Sequence, residues 1–221
     1  MKVCTDACLF GAWVADKIER GLLSPAKILD IGTGTGLLSL MAAQKSNTTI
    51  DAVELDENAF EQAKKNFNNS PWAERLNIIK GDIKDLDIHG KYDLIISNPP
   101  FFENELKSPN KGINLARHDS GLDMEELLNV VHTYLNSDGV FAVLLPYQRV
   151  TYFEQMAGKR EFYVSNKMIV CQIPNHSPFR VLFLLTRIKT PIDAKEITIK
   201  NAEGGYTDEF RILLKDYYLN L

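Results

Sequence analysis

Residues 27–43 read Lys27-Ile28-Leu29-Asp30-Ile31-Gly32-Thr33-Gly34-Thr35-Gly36 and then Leu37-Leu38-Ser39-Leu40-Met41-Ala42-Ala43: an apolar run, alternating glycines, and a second apolar run. Ile28, Leu29 and Ile31 have the continuous apolar character of a strand buried on both faces of a parallel sheet. The glycines let the backbone turn sharply and let a ligand approach it closely. The second run reads as a helix. Many doubly wound folds share such a Gly-x-Gly-x-Gly turn, so the ligand has to be read from the residues that follow.

Those residues continue the alternation. Helices are expected over 7–20, 37–45, 57–68, 124–136 and 147–157, and strands near 26–31, 49–54, 75–80, 91–97 and 139–145. That order predicts an α/β fold, a Rossmann-like doubly wound sheet, mostly parallel, with helices on both faces. Beyond Phe162 two longer runs, 164–173 and 180–188, are joined by Pro174-Asn175-His176-Ser177-Pro178. So short a bridge requires an antiparallel pair, a C-terminal hairpin closing one edge of the sheet. A small strand over 196–200 and a final helix over 208–218 complete the reading. No repeat or linker divides the chain, so residues 1–221 are expected to form a single domain.

The composition, 45% hydrophobic and 24% charged, is that of a soluble globule. No run approaches a membrane span and no basic-then-apolar start suggests a signal peptide. Cys4, Cys8 and Cys171 are sparse, and Cys4 and Cys8 lack a second ligand pair, so no metal is expected and a reducing cytoplasm is the natural setting.

Three acids close successive strands. Asp30 ends the first, where its carboxylate can order the loop or meet an ammonium group. Thr49-Ile50-Asp51-Ala52-Val53 ends in Glu54, 18 residues past Gly36 and so placed to accept the hydroxyls of a ribose. Leu76-Asn77-Ile78-Ile79-Lys80 ends in Gly81-Asp82-Ile83, and an acid there can accept the exocyclic amine of an adenine. A pocket this acidic suits a cationic sulfonium nucleoside better than a pyrophosphate. The plainer alternative is three acids capping three helices. S-adenosyl-L-methionine is the better ligand.

The run Tyr92–Ser97 then leaves the sheet through Asn98-Pro99-Pro100-Phe101. Two prolines give a stiff turn with free carbonyls, Asn98 adds a side-chain acceptor, and Phe101 adds a flat apolar face. Acceptors beside a ring suit a planar group bearing an NH2, such as an adenine edge or a carboxamide. Asn98 as a simple strand-end cap is the bland alternative.

The order Asp30-x-Gly32-x-Gly34-x-Gly36, Glu54, Gly81-Asp82 and Asn98-Pro99-Pro100-Phe101 resembles the class I, S-adenosylmethionine-dependent methyltransferases that modify planar amines. Lys2-Val3-Cys4-Thr5-Asp6-Ala7-Cys8-Leu9-Phe10-Gly11-Ala12-Trp13 is similar to the opening of the bacterial tRNA1(Val) adenine-N6-methyltransferases, as are Asn114-Leu115-Ala116-Arg117-His118, Tyr206-Thr207-Asp208-Glu209-Phe210 and Lys215-Asp216-Tyr217-Tyr218-Leu219. Cys4 and Ala7 stand where that family usually has glycines, and its members usually carry a short aromatic and basic segment upstream of the residues matching Met1-Lys2-Val3. The resemblance implies methyl transfer to the N6 amine of the adenosine 3′ of the anticodon, position 37, of a valine tRNA. It implies a catalytic turn of Asn98, Pro99, Pro100 and Phe101. It implies cofactor binding by Thr5, Asp6, Asp30, Gly32, Gly34, Gly36, Glu54, Asp82, Ile83 and Asn98. Phe101, Phe102, Lys107, Lys111, Arg117 and His118 are the expected substrate contacts, the basic ones in a stretch over 102–121 that reads as a lid or docking loop.

A net charge of −4 argues against indiscriminate nucleic-acid binding and leaves room for a local patch. Besides the basic residues of the loop, Arg149, Lys159, Arg160 and Arg180 are candidates for it. Ribosomal guanine-N2 and protein glutamine methyltransferases share the Asn-Pro-Pro turn, and a non-catalytic S-adenosylmethionine-binding RNA chaperone is a reading of another class. The residues alone leave these open.

Overall fold

The computed structural model describes residues 4–100 and 122–221. Helix α1 (Thr5–Glu19) precedes β1 (Lys27–Ile31), α2 (Leu37–Lys45), β2 (Thr49–Glu54), α3 (Glu57–Asn68), β3 (Leu76–Lys80) and β4 (Tyr92–Ser97). Then come α4 (Met124–Tyr134), β5 (Leu135–Pro146), α5 (Val150–Gly158), β6 (Tyr163–Cys171), β7 (Arg180–Thr186), β8 (Asp193–Thr198) and α6 (Asp208–Leu214). The strands form one sheet in the order β3-β2-β1-β4-β5-β7-β6-β8.

Strand residues alternate between two cores. Ile28, Ile50, Ala52, Leu94, Ile96, Ala142 and Leu144 face one way, against α1, α2, Phe67 of α3, and Phe210 of α6. Leu29, Ile31, Val53, Ile95, Phe141, Val143 and Leu145 face the other, against α4 and α5. This is the period-two alternation of a strand, with both faces covered by helices, and it explains why the strands read as continuous apolar runs. Strands β1 to β5 are mutually parallel, and β7 is antiparallel to β5 and β6.

Helix starts follow capping chemistry. Asp56 caps α3 through the Ala59 amide, Asp123 and Glu126 form a reciprocal capping box on α4, and Thr207 caps α6 through the Phe210 amide. Helix α2 has no side-chain cap, because its N-cap residue is Gly36 in the left-handed region.

Two expectations need correction. The β6–β7 hairpin does not close the sheet edge: β8 lies outside it, parallel to β6. Because β8 reverses the direction of β7, residues 187–192 suffice to pass under one intervening strand, about 10 Å. Strand β5 also begins at Leu135, earlier than its apolar run. Its pairing with β4 jumps from Tyr92↔Leu135 to Leu94↔Val140, so Asn136-Ser137-Asp138-Gly139 is a polar bulge inside the strand. Leu135 folds back over Gly139, where a Cβ would lie 2.8 Å from its Cδ1. Among the described residues, no helix is long and apolar enough to cross a membrane.

Candidate active site

The strand order reverses between β1 and β4, and the C-terminal ends of these strands are where an open parallel sheet holds its ligand. Across that edge the tips run from Asp82 after β3, through Glu54 at β2 and Asp30 within β1, to Asn98 after β4. Ser97 fixes the centre of the row, its hydroxyl donating to the Ile31 carbonyl at 3.0 Å.

The glycine turn is drawn over the end of β2. The amides of Gly32 and Thr33 both donate to the Val53 carbonyl, at 3.0 and 3.1 Å. Gly36 has φ +86°, and a Cβ there would meet Cε1 of buried Phe67 at 2.5 Å, so only glycine fits. Glu54 holds the turn from the side: Oε2 accepts from the Gly34 amide at 2.7 Å and Oε1 from the Asp56 amide at 2.8 Å.

Asp30 is fully buried. Its Oδ2 accepts from the hydroxyls of Thr33 at 2.6 Å and Ser39 at 2.7 Å, which places a carboxylate at the uncapped start of α2. Its Oδ1 has no hydrogen-bond partner. Burial pushes the carboxyl up to about 6, only partly offset by the bonds from Thr33 and Ser39, and nearby Glu54 adds to the rise. A buried carboxylate oxygen with no partner is a costly feature unless a ligand supplies a donor.

The other expected cofactor residues are distributed less simply. Asp82 is folded into its own turn: Oδ1 accepts from the Lys84 amide at 3.0 Å and Oδ2 lies 3.6 Å from Lys84 Nζ. Ile83 beside it is buried. Thr5 and Asp6 open α1. Asp6 Oδ2 accepts from Arg180 Nε at 2.8 Å, and Arg180 pairs with Pro146 where β7 meets the end of β5. The structure therefore brings Asp30, the glycines and Glu54 together, sets Asp82 beside them, and ties Asp6 to Arg180 at the start of β7. Asn98 is half-buried, Pro99 buried and Pro100 exposed. Phe101, Phe102, Lys107, Lys111, Arg117 and His118, with the rest of the 102–121 stretch, lie outside the described residues.

Of the other basic candidates, Arg149 and Arg180 are on the ligand edge. Lys159 and Arg160 are not: they precede the start of β6, which pairs with the far end of β7, and Arg160 donates to Asn129 and Glu125 of α4 at 2.8 and 2.7 Å. Sequence reasoning passed over Thr33 and Ser39, whose hydroxyls hold Asp30. A serine at the third position of an otherwise apolar helix was the available signal. It also passed over Leu55, 52% exposed directly after Glu54, an apolar face at the tip of β2. Among the described residues no group of His, Cys, Asp and Glu side chains could hold a metal ion.

Residues 1–143 match the methyltransferase small domain. The tRNA1(Val) (adenine(37)-N6)-methyltransferase of Bacteroides fragilis strain YCH46 is 38% identical over 224 residues, covering 100% of this chain and 92% of that protein. The protein of the same name from Trichodesmium erythraeum is 40% identical over 99% of this chain and 91% of its own length.

The chain belongs to the tRNA1(Val) (adenine(37)-N6)-methyltransferase family.

Solved structures agree on the fold of this methyltransferase. One described as a predicted O-methyltransferase, Atu636 of Agrobacterium tumefaciens, superposes with a TM-score of 0.69 at 14% identity, over 97% of this chain and 99% of the other. The glycopeptide N-methyltransferase MtfA, solved with S-adenosyl-L-methionine, gives 0.57 at 12% identity, over 81% of this chain and 88% of its own. S-adenosylmethionine is the methyl donor of this class. The residues present fit it: a carboxylate oxygen without a partner at Asp30, a close-turning glycine loop beside it, and a carboxylate with an apolar neighbour at the tip of β2.

Proposed function

We propose that this enzyme, working as one domain over residues 1–221 in the cytoplasm, methylates the N6 amine of the adenosine at position 37 of a valine tRNA. The observation that carries the reading is the meeting of two features at one point of the sheet: the acid-lined glycine turn at β1 and the Asn98-Pro99-Pro100 turn at β4, on neighbouring strands.

Asp30 Oδ1 would accept from the ammonium of S-adenosylmethionine, Glu54 from its ribose, and Asp82 from its adenine amine, with Leu55 and Ile83 as apolar walls. Bound there, the cofactor supplies an electrophilic sulfonium methyl. Each oxygen of Glu54 already accepts one backbone amide and keeps a second lone pair for a hydroxyl. The chain's remaining work is positioning. Asn98 Oδ1 and the Pro99 carbonyl accept the two hydrogens of the target amine, turning the nitrogen lone pair out of the ring. As the nitrogen bonds to the methyl carbon, the carbon–sulfur bond would break to leave a neutral thioether, and the nitrogen would then shed a proton to water, so no activated base is needed before transfer. Fixed acceptors and orientation are the rate-giving effects. Phe101 would stack on the base, which leaves an anticodon loop at small cost because it is unpaired.

Incubating unmodified total tRNA with labelled S-adenosylmethionine, then digesting and mapping the product, tests the reading. The expected label is N6-methyladenosine, 3′ of the anticodon of a valine tRNA. Absence of label from tRNA, with label on guanine N2 or on glutamine when ribosomes are the substrate instead, would replace this reading with one of the alternatives that share the turn.

A further inference from the structure

The ligand edge changes character at Asn98. On the β3–β2–β1 side its tips carry Asp82, Glu54 and Asp30. On the β5–β7–β6 side they carry the turn Tyr147-Gln148-Arg149, the first turn of α5 with Tyr152, and the hairpin tip Pro174-Asn175-His176-Ser177. The two pieces are joined, the Tyr147 amide donating to the Phe179 carbonyl at 3.1 Å. Next to that bond Arg180 is fixed in place, its guanidinium 5.3 Å from the centre of the Phe179 ring and paired with Asp6.

Tyr147 is 36% exposed and Tyr152 54% exposed. A single exposed tyrosine is ordinary surface. These two flank Arg149 on consecutive turns, beside a second arginine and an exposed histidine. Their position matters too. Ser97 pairs with Val143, so Tyr147 stands one strand over and four residues further along, on the order of 10 Å from the Asn98 turn. Polar Gln148, Thr151, Asn175 and His176 interrupt the patch, unlike the continuous apolar core of a protein interface. Ring faces set among hydrogen-bonding side chains match unpaired nucleotides, which offer π-faces and polar base edges together.

We propose that Tyr147 and Tyr152, with the His176 hairpin tip, form a docking surface for the unpaired RNA-loop nucleotides that flank the target adenosine. The surface rests on the proposed RNA methylation. It adds a stacking platform outside the pocket, on the side of the catalytic turn away from the cofactor. A base held at Asn98 would have its neighbours led across β5 toward the hairpin, in the direction away from the acidic tips that would repel phosphate.

Anisotropy titrations of a labelled valine-tRNA anticodon stem–loop with the full chain test this. Tyr147→Ala and Tyr152→Ala are each expected to weaken binding about thirtyfold, the middle of the range for a lost base–aromatic stack. Tyr147→Phe and Tyr152→Phe keep the ring and are expected to bind as the parent does. Calorimetric affinity for S-adenosylmethionine is expected to be the same in all five proteins. Alanine variants that bind the RNA like the parent overturn the surface, as does weakening that the phenylalanine variants share. Methyl transfer on the same RNA separates this from the chemistry. If the parent methylates it and the alanine variants bind normally, the surface falls and the chemistry stands. If the parent transfers nothing and the alanine variants still lose binding, the chemistry falls and the surface stands.

Discussion

A carboxylate with no exposed surface and one bare oxygen, as Asp30 has, is favoured in its protonated form. Its folded value of about 6 lies above the ordinary 3.8, so the folded chain binds the proton more tightly than the unfolded chain. Stability from this group therefore falls as pH rises from about 4 to 6 and is flat above, where the ionised carboxylate costs on the order of 3 kcal/mol. Asp30→Asn is expected to melt higher than the parent at pH 7.5, with the gap closing toward pH 4, and to bind S-adenosylmethionine more weakly. Thermal melts across that range check it, and an Asn variant that melts lower at pH 7.5 would show the charge to be compensated within the fold. Glu54→Ala should cost about 1.5–3 kcal/mol of cofactor affinity, the range for hydrogen bonds to a charged group, measured by calorimetry. An unchanged affinity would mean that Glu54 serves only the Gly34 and Asp56 amides. The acids were legible in the sequence because each closes an apolar strand run. Their partners were not: Thr33 and Ser39 gain meaning only when the turn brings both hydroxyls to one oxygen, and Asp6 meets Arg180 across 174 residues.

At the scale of elements, the tightest fit is where the glycine turn enters α2. Gly36→Ala would combine a left-handed φ with a Cβ driven into Phe67, itself buried between α3 and the sheet. The expected loss is roughly 2–5 kcal/mol, the sum of backbone strain and overpacking. Chemical denaturation measures it, and a loss below about 0.5 kcal/mol would mean that Phe67 can step aside. Helices α2 and α3 could be read to the residue, since an apolar run after glycine and an Asp cap mark their starts. Strand β5 could not, because its first residues are a polar bulge that pairing with β4, a non-local event, holds in the sheet. The same holds for β8, four of whose six residues are exposed; its place is set by the register with β6 and by no apolar pattern of its own.

The whole molecule carries −4 and yet is proposed to take a polyanion, which requires charge to be segregated along the edge. Neutralising Arg117, or Lys107 with Lys111, is expected to weaken tRNA binding and flatten the slope of log affinity against log salt by about one counterion per lost contact. An unchanged slope would remove those residues from the RNA footprint. The doubly wound, mostly parallel sheet could be anticipated from the βαβ alternation, whereas the division of its edge into an acidic half and an aromatic half depends on which strands lie next to one another. Those halves meet at Asn98. A change at that seam should spare both binding events and lose the transfer between them. The direct test is single-turnover methylation by Asn98→Ala at saturating S-adenosylmethionine and tRNA, with both affinities measured alongside. The expected rate is lower by about a hundredfold or more, the usual effect of losing a positioned polar group, with affinities close to the parent's. A rate near the parent's would contradict it and make Asn98 a strand-end cap.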